Sequence, residues 1–324
     1  MTIFIFRRLI YSIPVLVATS FVIFTFVSLA GDPLGELKQN PYLSKITIQN
    51  VIHAKHLDQP VPLRYISWVK DATRHEFGTT LVGDHKIWED LKRVIPHTIQ
   101  LLLSAEILSI VIAVMIGVYS AIRQYSVFDY VATTFNFVAF AVPVFWVALM
   151  LQIAVTQIFL HWHVRLFYTS GLNSPEQGGG FGFLLDRVQH LALPVIALTI
   201  QTIAAYARYM RSSMLEVINA DYTRTARAKG VSEARITLKH AMRNALIPLV
   251  TVVAIDFGAL LGGAVVTESI FQLDGMGYYF IKSLSRLDVY PVMAWLMVVA
   301  ITVILFNLLA DIIYGWLDPR IRFD

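Results

Sequence analysis

Six stretches of this chain are apolar for long enough to cross a bilayer. They run from about Leu9 to Ala30, Thr98 to Ile122, Phe135 to Leu160, Leu191 to Met210, Leu246 to Glu268 and Val292 to Trp316. A spanning helix needs about 20 mostly apolar residues. The pattern therefore predicts an all-α membrane protein with six transmembrane helices. Residues 1–30 hold the N-terminal segment and first helix, 31–97 a polar subdomain, and 98–316 a five-helix core interrupted by a polar loop at 212–245. Residues 317–324 form a short tail. The first run follows Arg7 and Arg8, and Ser28-Leu29-Ala30 resembles a signal-peptidase site. The run is longer than the roughly 7–15 residues of a signal core, so it reads as an uncleaved anchor.

The polar segments carry the remaining signals. In 31–97, Asp58-Gln59-Pro60-Val61-Pro62 marks a turn. LRYISWVKDA then spaces Leu63, Ile66 and Val69 three apart, as on one helix face. That subdomain reads equally as a cap packed on the helices or as a docking surface for a soluble partner. SPEQGGGFG is a flexible turn. His161-Trp162-His163 lies beside it; imidazoles bind nickel or zinc, but two His flanking a Trp fit an interfacial aromatic belt better. No metal site is predicted.

The loop at 220–249 concentrates Arg224, Arg227, Lys229, Arg235, Lys239 and Arg243 against only Asp221 and Glu233. Asp221 is placed to cap a short helix. Arg227 and Lys229 suit its C-terminal dipole, and Gly230 suits the left-handed position that ends it. Ser232 can start a second helix that runs until Pro248 kinks it or it re-enters the membrane. Tyr222, Thr225, Ala226 and Lys229 fall on one face of the first helix. The loop is either a basic surface for anionic lipid or a preformed knob for a partner.

Composition and charge sharpen this picture. The 324 residues are 56% hydrophobic and 15% charged, against about 25% charged in soluble domains. With no cysteine there is no disulfide framework and no thiolate metal site. With the N-terminus inside, the inner segments hold thirteen Lys or Arg residues and the short outer loops four, namely Arg165, Arg187, Lys282 and Arg286. By the positive-inside rule both termini and the basic loop are cytoplasmic. The nine in residues 31–97 sit in a loop too long to count. Without aromatic stacking partners, the basic loop is not a nucleic-acid site.

Glu106, Asp256, Glu268 and Asp311 lie in or beside the apolar runs. Such residues face a partner or water, because burial in lipid is costly. Asp256 and Glu268 are the candidates for pathway or gate residues. Asp311 is expected to pair with a neighbouring subunit. Gly258, Gly262 and Gly263 are spaced for close helix packing. No phosphate-binding G-x-x-x-x-G-K-[ST], H-E-x-x-H or G-x-S-x-G occurs, so neither an ATPase nor a familiar intramembrane hydrolase is encoded. No repeat relates the two halves, as an ion-coupled secondary transporter would lead one to expect.

DYTRTARAKGVSEARITLKHAMRNALIPLVT resembles the cytoplasmic EAA-type loop of the permeases of binding-protein-dependent ABC importers, in the oligopeptide/dipeptide/nickel group. The resemblance extends in order along most of the chain: RRLIYSIPVL, GDP at 31–33, LDQPVPLRYISWV, EFGTT, IPHTIQLLL, RSSMLEV, GGAVVTESIFQLDGMG and LLADIIYGWLDPRIR. Two departures stand out. Arg224-Thr225-Ala226 occupies the Glu-Ala-Ala place, and His240-Ala241-Met242-Arg243 that of Ile-x-Leu-Pro. The first puts in doubt any contact made by that Glu elsewhere.

The resemblance implies a type I importer permease in the bacterial inner membrane, not itself an enzyme. It would pair with a homologous second permease, bind two ATP-binding subunits inside, receive peptide from an extracytoplasmic solute-binding protein, and touch membrane lipid but no nucleic acid. The chain would hold no cofactor, ATP and Mg being bound by its partners. The docking helix would comprise Asp221, Tyr222, Arg224, Thr225, Ala226, Arg227, Ala228 and Lys229. Arg224, Arg227 and Lys229 would make polar contacts, Ala226 and Ala228 would allow close approach, and Gly230 would set the turn.

Overall fold

The computed structural model describes residues 2–317 apart from 36, 37, 39–41, 43, 75, 76, 82 and 176–179; for 2–5, 257–263 and 313–317 only the backbone is described. Of the expected tail at 317–324, Leu317 ends the last helix and 318–324, with Arg320 and Arg322, lie outside the described residues. The chain runs α1 (Thr2–Leu29), α2 (Lys45–Ala54), α3 (Val61–Arg74), α4 (Ile87–Ile122), α5 (Val127–Ala141), α6 (Val144–Trp162), α7 (Phe181–Ile218), α8 (Asp221–Ala228) and α9 (Glu233–Arg235). A π-helical turn, Ile236–Ala241, leads into α10 (Met242–Gly263), then α11 (Val265–Ile270), α12 (Met276–Ser285) and α13 (Val289–Leu317). Among the described residues, six helical segments are long and apolar enough to span a membrane. Among the described residues the only β pairing is one isolated bridge, Thr79 with Lys86.

Every apolar run is found, but with different ends. α1 starts before Arg7 and Arg8, so both sit on the helix. α4 begins eleven residues ahead of Thr98, inside the expected polar subdomain. Ile87 and Leu91 are fully buried against Ala294 of α13, which fixes that early start. The 36 residues of α4 and 38 of α7 make rods of about 55 Å at 1.5 Å per residue, so both project well beyond the hydrocarbon. The run from Phe135 to Leu160 is not one helix. Pro143 cannot donate to the ladder, and the chain is extended at Val142 and Pro143 between α5 and α6. The run ending at Glu268 also breaks, at Ala264, placing Glu268 in the short α11. Pro248 does not end its helix: α10 continues through it.

The parallel pair α4–α7 is the spine of the bundle. Leu101, Leu102 and Ala105 pack on Leu191–Leu198 with Ala148 of α6. Further along, Ala113 and Ala121 pack on Ile203, Tyr206, Met210 and Met214 with Ala241, Ala245 and Leu249. Gly117 lets the two rods touch: a Cβ there would lie 2.7 Å from Met210 Cβ and 2.9 Å from the Ala207 carbonyl oxygen. α5 is tied to α7 by a two-pronged ion pair, Arg211 Nε to Asp129 Oδ1 at 2.7 Å and Nη2 to Oδ2 at 2.8 Å, with Asp129 buried.

The polar subdomain packs as a cap, but by the face opposite the expected one. Leu63, Ile66 and Val69 are exposed, while Arg64, Tyr65 and Trp68 are buried. Tyr65 sits edge-on to Phe21 and Phe24 of α1, and its hydroxyl bonds Ser20 at 2.7 Å. Large aromatic area with a satisfied polar tip outweighs three aliphatic side chains. The cap is fastened to the start of α13 by Asp288, whose carboxylate accepts from the Leu81 and Tyr290 amides at 2.8 and 3.3 Å.

Burial pushes the Asp288 carboxyl up to about 6, above the roughly 3.9 of an unfolded chain. The folded state thus holds this proton more tightly. The stability so gained is fully present below about pH 4 and is lost as the pH rises through about 6. Thermal unfolding should show a decline of about 3 kcal/mol across that window, largely absent in Asp288→Asn. Equal pH profiles for the two proteins would refute it.

Candidate functional site

The basic loop folds as helix, left-handed glycine, helix. Gly230 has φ +78°, and the Val231 and Gly230 amides donate to the Ala226 and Arg227 carbonyls at 3.2 and 3.0 Å. These are the two bonds of a Schellman C-cap. The start differs from expectation: Ala220 occupies the cap position and makes no side-chain cap bond, and Asp221 is the first helical residue. There its fully exposed carboxylate lies 3.8 Å from Arg224 and still favours the helix dipole.

The inner side of α8 is anchored. Thr223 is fully buried and its hydroxyl faces the Ala220 and Ile218 carbonyls at 2.6 and 2.9 Å. Asn244 of α10 donates to the Tyr222 hydroxyl at 2.9 Å. Beneath lies the π-helical turn, with Ile236 fully buried and Thr237 buried, in contact with α7, α8 and α10. Arg224, Thr225, Ala228 and Lys229 are exposed, and Ala226 is half-buried. The outward face thus runs through Asp221, Arg224, Thr225 and Ala228, rotated from the face predicted through Tyr222 and Ala226. Arg227 is engaged within the loop, its Nε 2.5 Å from Glu233 Oε1 and its Nη2 3.2 Å from Oε2. The result is a small rigid knob with a mixed cationic and small-residue face.

Within the bundle, three helices converge on two acids. Tyr206 of α7, fully buried, donates to Glu106 Oε1 of α4 at 2.7 Å. Asp256 of α10 lies beside the same hydroxyl. Gly258, Gly262 and Gly263 fall where side-chain surroundings are outside the described residues. Asp311 pairs with Arg8 of its own α1.

Glu268 is fully buried and engaged. Oε1 accepts from the Thr98 hydroxyl of α4 at 2.6 Å. Oε2 accepts from the Gly277 and Tyr278 amides at 2.7 and 3.2 Å. Thr98 in turn accepts the Met276 amide at 2.8 Å. The carboxylate therefore closes the amide end of α12 and ties it to α4. A Cβ at Gly275 would sit 2.4 Å from Glu268 Oε2, and one at Gly277 2.3 Å from Val265 Cα. That crowding accounts for Gly275 and Gly277, the last two glycines of GGAVVTESIFQLDGMG.

Sequence reasoning missed one cluster. Arg187 was counted as an outer-loop charge, but it lies on α7, buried, donating to Gln100 Oε1 at 2.9 Å and Asn173 Oδ1 at 3.1 Å. Its neighbour Asp186 accepts from the Ser174 amide and hydroxyl at 2.9 and 2.7 Å, and Tyr168 stacks on His190 at 3.9 Å. The i, i+4 spacing of Asp186 and His190 was the available signal. Among the described residues no three His, Asp or Glu gather as metal ligands. His161 bonds the Gln157 carbonyl at 2.9 Å, and Trp162 is exposed.

Residues 113–323 match the family described as the binding-protein-dependent transport system inner membrane component. The chain is 38% identical over 324 residues to the oligopeptide transport system permease protein OppB of Mycobacterium tuberculosis, covering 99% of each. It is 36% identical to the oligopeptide permease AppB of Bacillus subtilis, covering 100% of each, and 33% to the dipeptide permease DppB of Escherichia coli, covering 98% of each. A solved amino acid ABC transporter, crystallised with histidines, superposes with a TM-score of 0.51 at 14% identity, over 70% of this chain and 94% of that one.

Proposed function

The chain belongs to the inner-membrane components of binding-protein-dependent transport systems, and on that premise we propose that it forms one half of a peptide pathway driven through α8. As a member it is the multi-pass translocation subunit of an importer. The other half is a homologous permease, two ATP-binding subunits grip the cytoplasmic knobs, and a solute-binding protein delivers peptide from outside. Both termini are cytoplasmic, as the Lys and Arg distribution directs. Peptide as substrate is supported by the names of the relatives at 33–38% identity.

The geometry of α8 carries this reading. A solvated lipid-facing loop needs no internal fixing, yet this one is held by a Schellman turn, Thr223, the Tyr222–Asn244 bond and buried Ile236. Arg224 and Lys229 remain outward for a partner's carboxylates, and Ala228 lets that partner approach. Asp256 beside Tyr206 is the pathway candidate, and Glu268 holds the outer end where a gate would hinge.

Purification of the tagged chain from its native membrane in mild detergent should bring down a second permease and ATP-binding subunits. Arg224→Glu with Lys229→Glu should keep the permease and lose the ATP-binding subunits by tenfold or more, since close charge pairs couple by about 1.5 kcal/mol upward. A wild type that brings down no ATP-binding subunit would end this reading of the knob.

A further inference from the structure

α1 and α13 are held together at two levels and stand apart between them. At one level Phe24 and Val27 pack on Val289, Val292 and Met293. At the other Arg8 pairs with Asp311. The intervening slot has a volume of about 510 Å³. Its floor on α1 runs from Arg7 and Tyr11 to Thr19 and Ser20, and its α13 wall includes Leu296, Ala300 and Val303. The thirteen helical steps from Arg7 to Ser20 span about 20 Å, close to the depth of one leaflet, half of the roughly 30 Å hydrocarbon core plus its interface.

Charge within the slot is one-sided. The walls are aliphatic along most of its length, and the charge sits at the Arg7 end. Arg8 is committed to Asp311. Arg7 is exposed and makes no ion pair among the described residues. A guanidinium with no ion pair among the described residues, at the mouth of a leaflet-long apolar slot, matches a ligand with a phosphate at one end and an alkyl chain at the other. Arg binds phosphate oxygens through a planar fork of donors, and basic pockets between spanning helices take anionic headgroups.

We propose that the α1–α13 slot is a binding site for one anionic phospholipid, its acyl chain between the helices and its phosphate on Arg7. A zwitterionic lipid offers the same chain and phosphate, but its choline or ethanolamine cation opposes Arg7, so the site prefers phosphatidylglycerol over phosphatidylcholine. The bound lipid completes the packing of α1 on the bundle. The site is separate from the knob and from the acids between α4, α7 and α10.

The test uses the assembled transporter in nanodiscs of equal phosphatidylglycerol and phosphatidylcholine, with co-purified lipid read by mass spectrometry after extraction into detergent. Wild type and Arg7→Lys should retain phosphatidylglycerol in excess. Arg7→Ala should lose that excess, and Ala300→Trp, which fills the slot, should lower retention of both lipids. An unchanged excess in Arg7→Ala overturns the proposal. So does cross-linking of Ala300→Cys, the sole cysteine of this chain, to the companion permease, because protein would then occupy the slot. Bound lipid is read without uptake, so this failure is distinguishable from failure of the importer reading.

Discussion

Glu268→Ala is expected to abolish accumulation of folded protein, or to lower its unfolding temperature in detergent by ten degrees or more. Three donors, the Thr98 hydroxyl and the Gly277 and Tyr278 amides, converge on one fully buried carboxylate. A buried donor left without an acceptor costs about 1–3 kcal/mol, and the loss of all three exceeds what most single substitutions do. Glu268→Gln keeps one acceptor oxygen but turns an amide NH₂ towards backbone N–H groups, and should fall between. Gly275→Ala should resemble Glu268→Ala without touching the carboxylate itself, since its Cβ would occupy the space of Oε2. Size-exclusion profiles and thermal unfolding of the three variants decide the matter. Wild-type behaviour of Glu268→Ala would overturn the clamp. A Glu268→Gln protein that folds normally but alters uptake would instead put the carboxylate in the pathway.

The sequence carried the all-α class and the six spans because twenty apolar residues in a row admit few structures. It carried the turn at Gly230 because a left-handed C-cap is a local event with a local residue preference. It did not carry the partners of buried charges, which depend on tertiary contact. Thr98 and Glu268 are 170 residues apart, and Arg8 meets an Asp311 beyond the whole core. Nor did it reveal which face of α3 packs. Apolar spacing favoured Leu63, Ile66 and Val69, whereas the actual contact uses Tyr65 and Trp68 against Phe24. In a membrane protein an aliphatic stripe is as well placed against lipid as against protein, so periodicity alone does not fix the inward side. The break at Pro143 was legible from proline's missing donor, but the apolar run on both sides hid it.

Ile236→Ala is expected to separate docking from coupling. Ile236 is fully buried beneath the knob, in the π-helical turn that contacts α7, α8 and α10, and no part of it reaches the outward face. Truncating a buried isoleucine costs about 2–5 kcal/mol, much of it through the cavity left behind. On the proposed coupling role, that loss falls where motion of α8 would pass to the two spanning elements α7 and α10. The charged face with Arg224 and Lys229 is untouched, so ATP-binding subunits should still co-purify in wild-type amount. In reconstituted vesicles peptide uptake per ATP hydrolysed should drop about tenfold or more, a factor that corresponds to 1.4 kcal/mol. Arg224→Glu with Lys229→Glu should lose uptake together with the bound ATP-binding subunits. If Ile236→Ala also sheds them, buried packing sets the shape of the docking face and the two roles are not separable. If uptake per ATP stays at wild type, the force travels by another route, and the loop's rigidity serves docking alone.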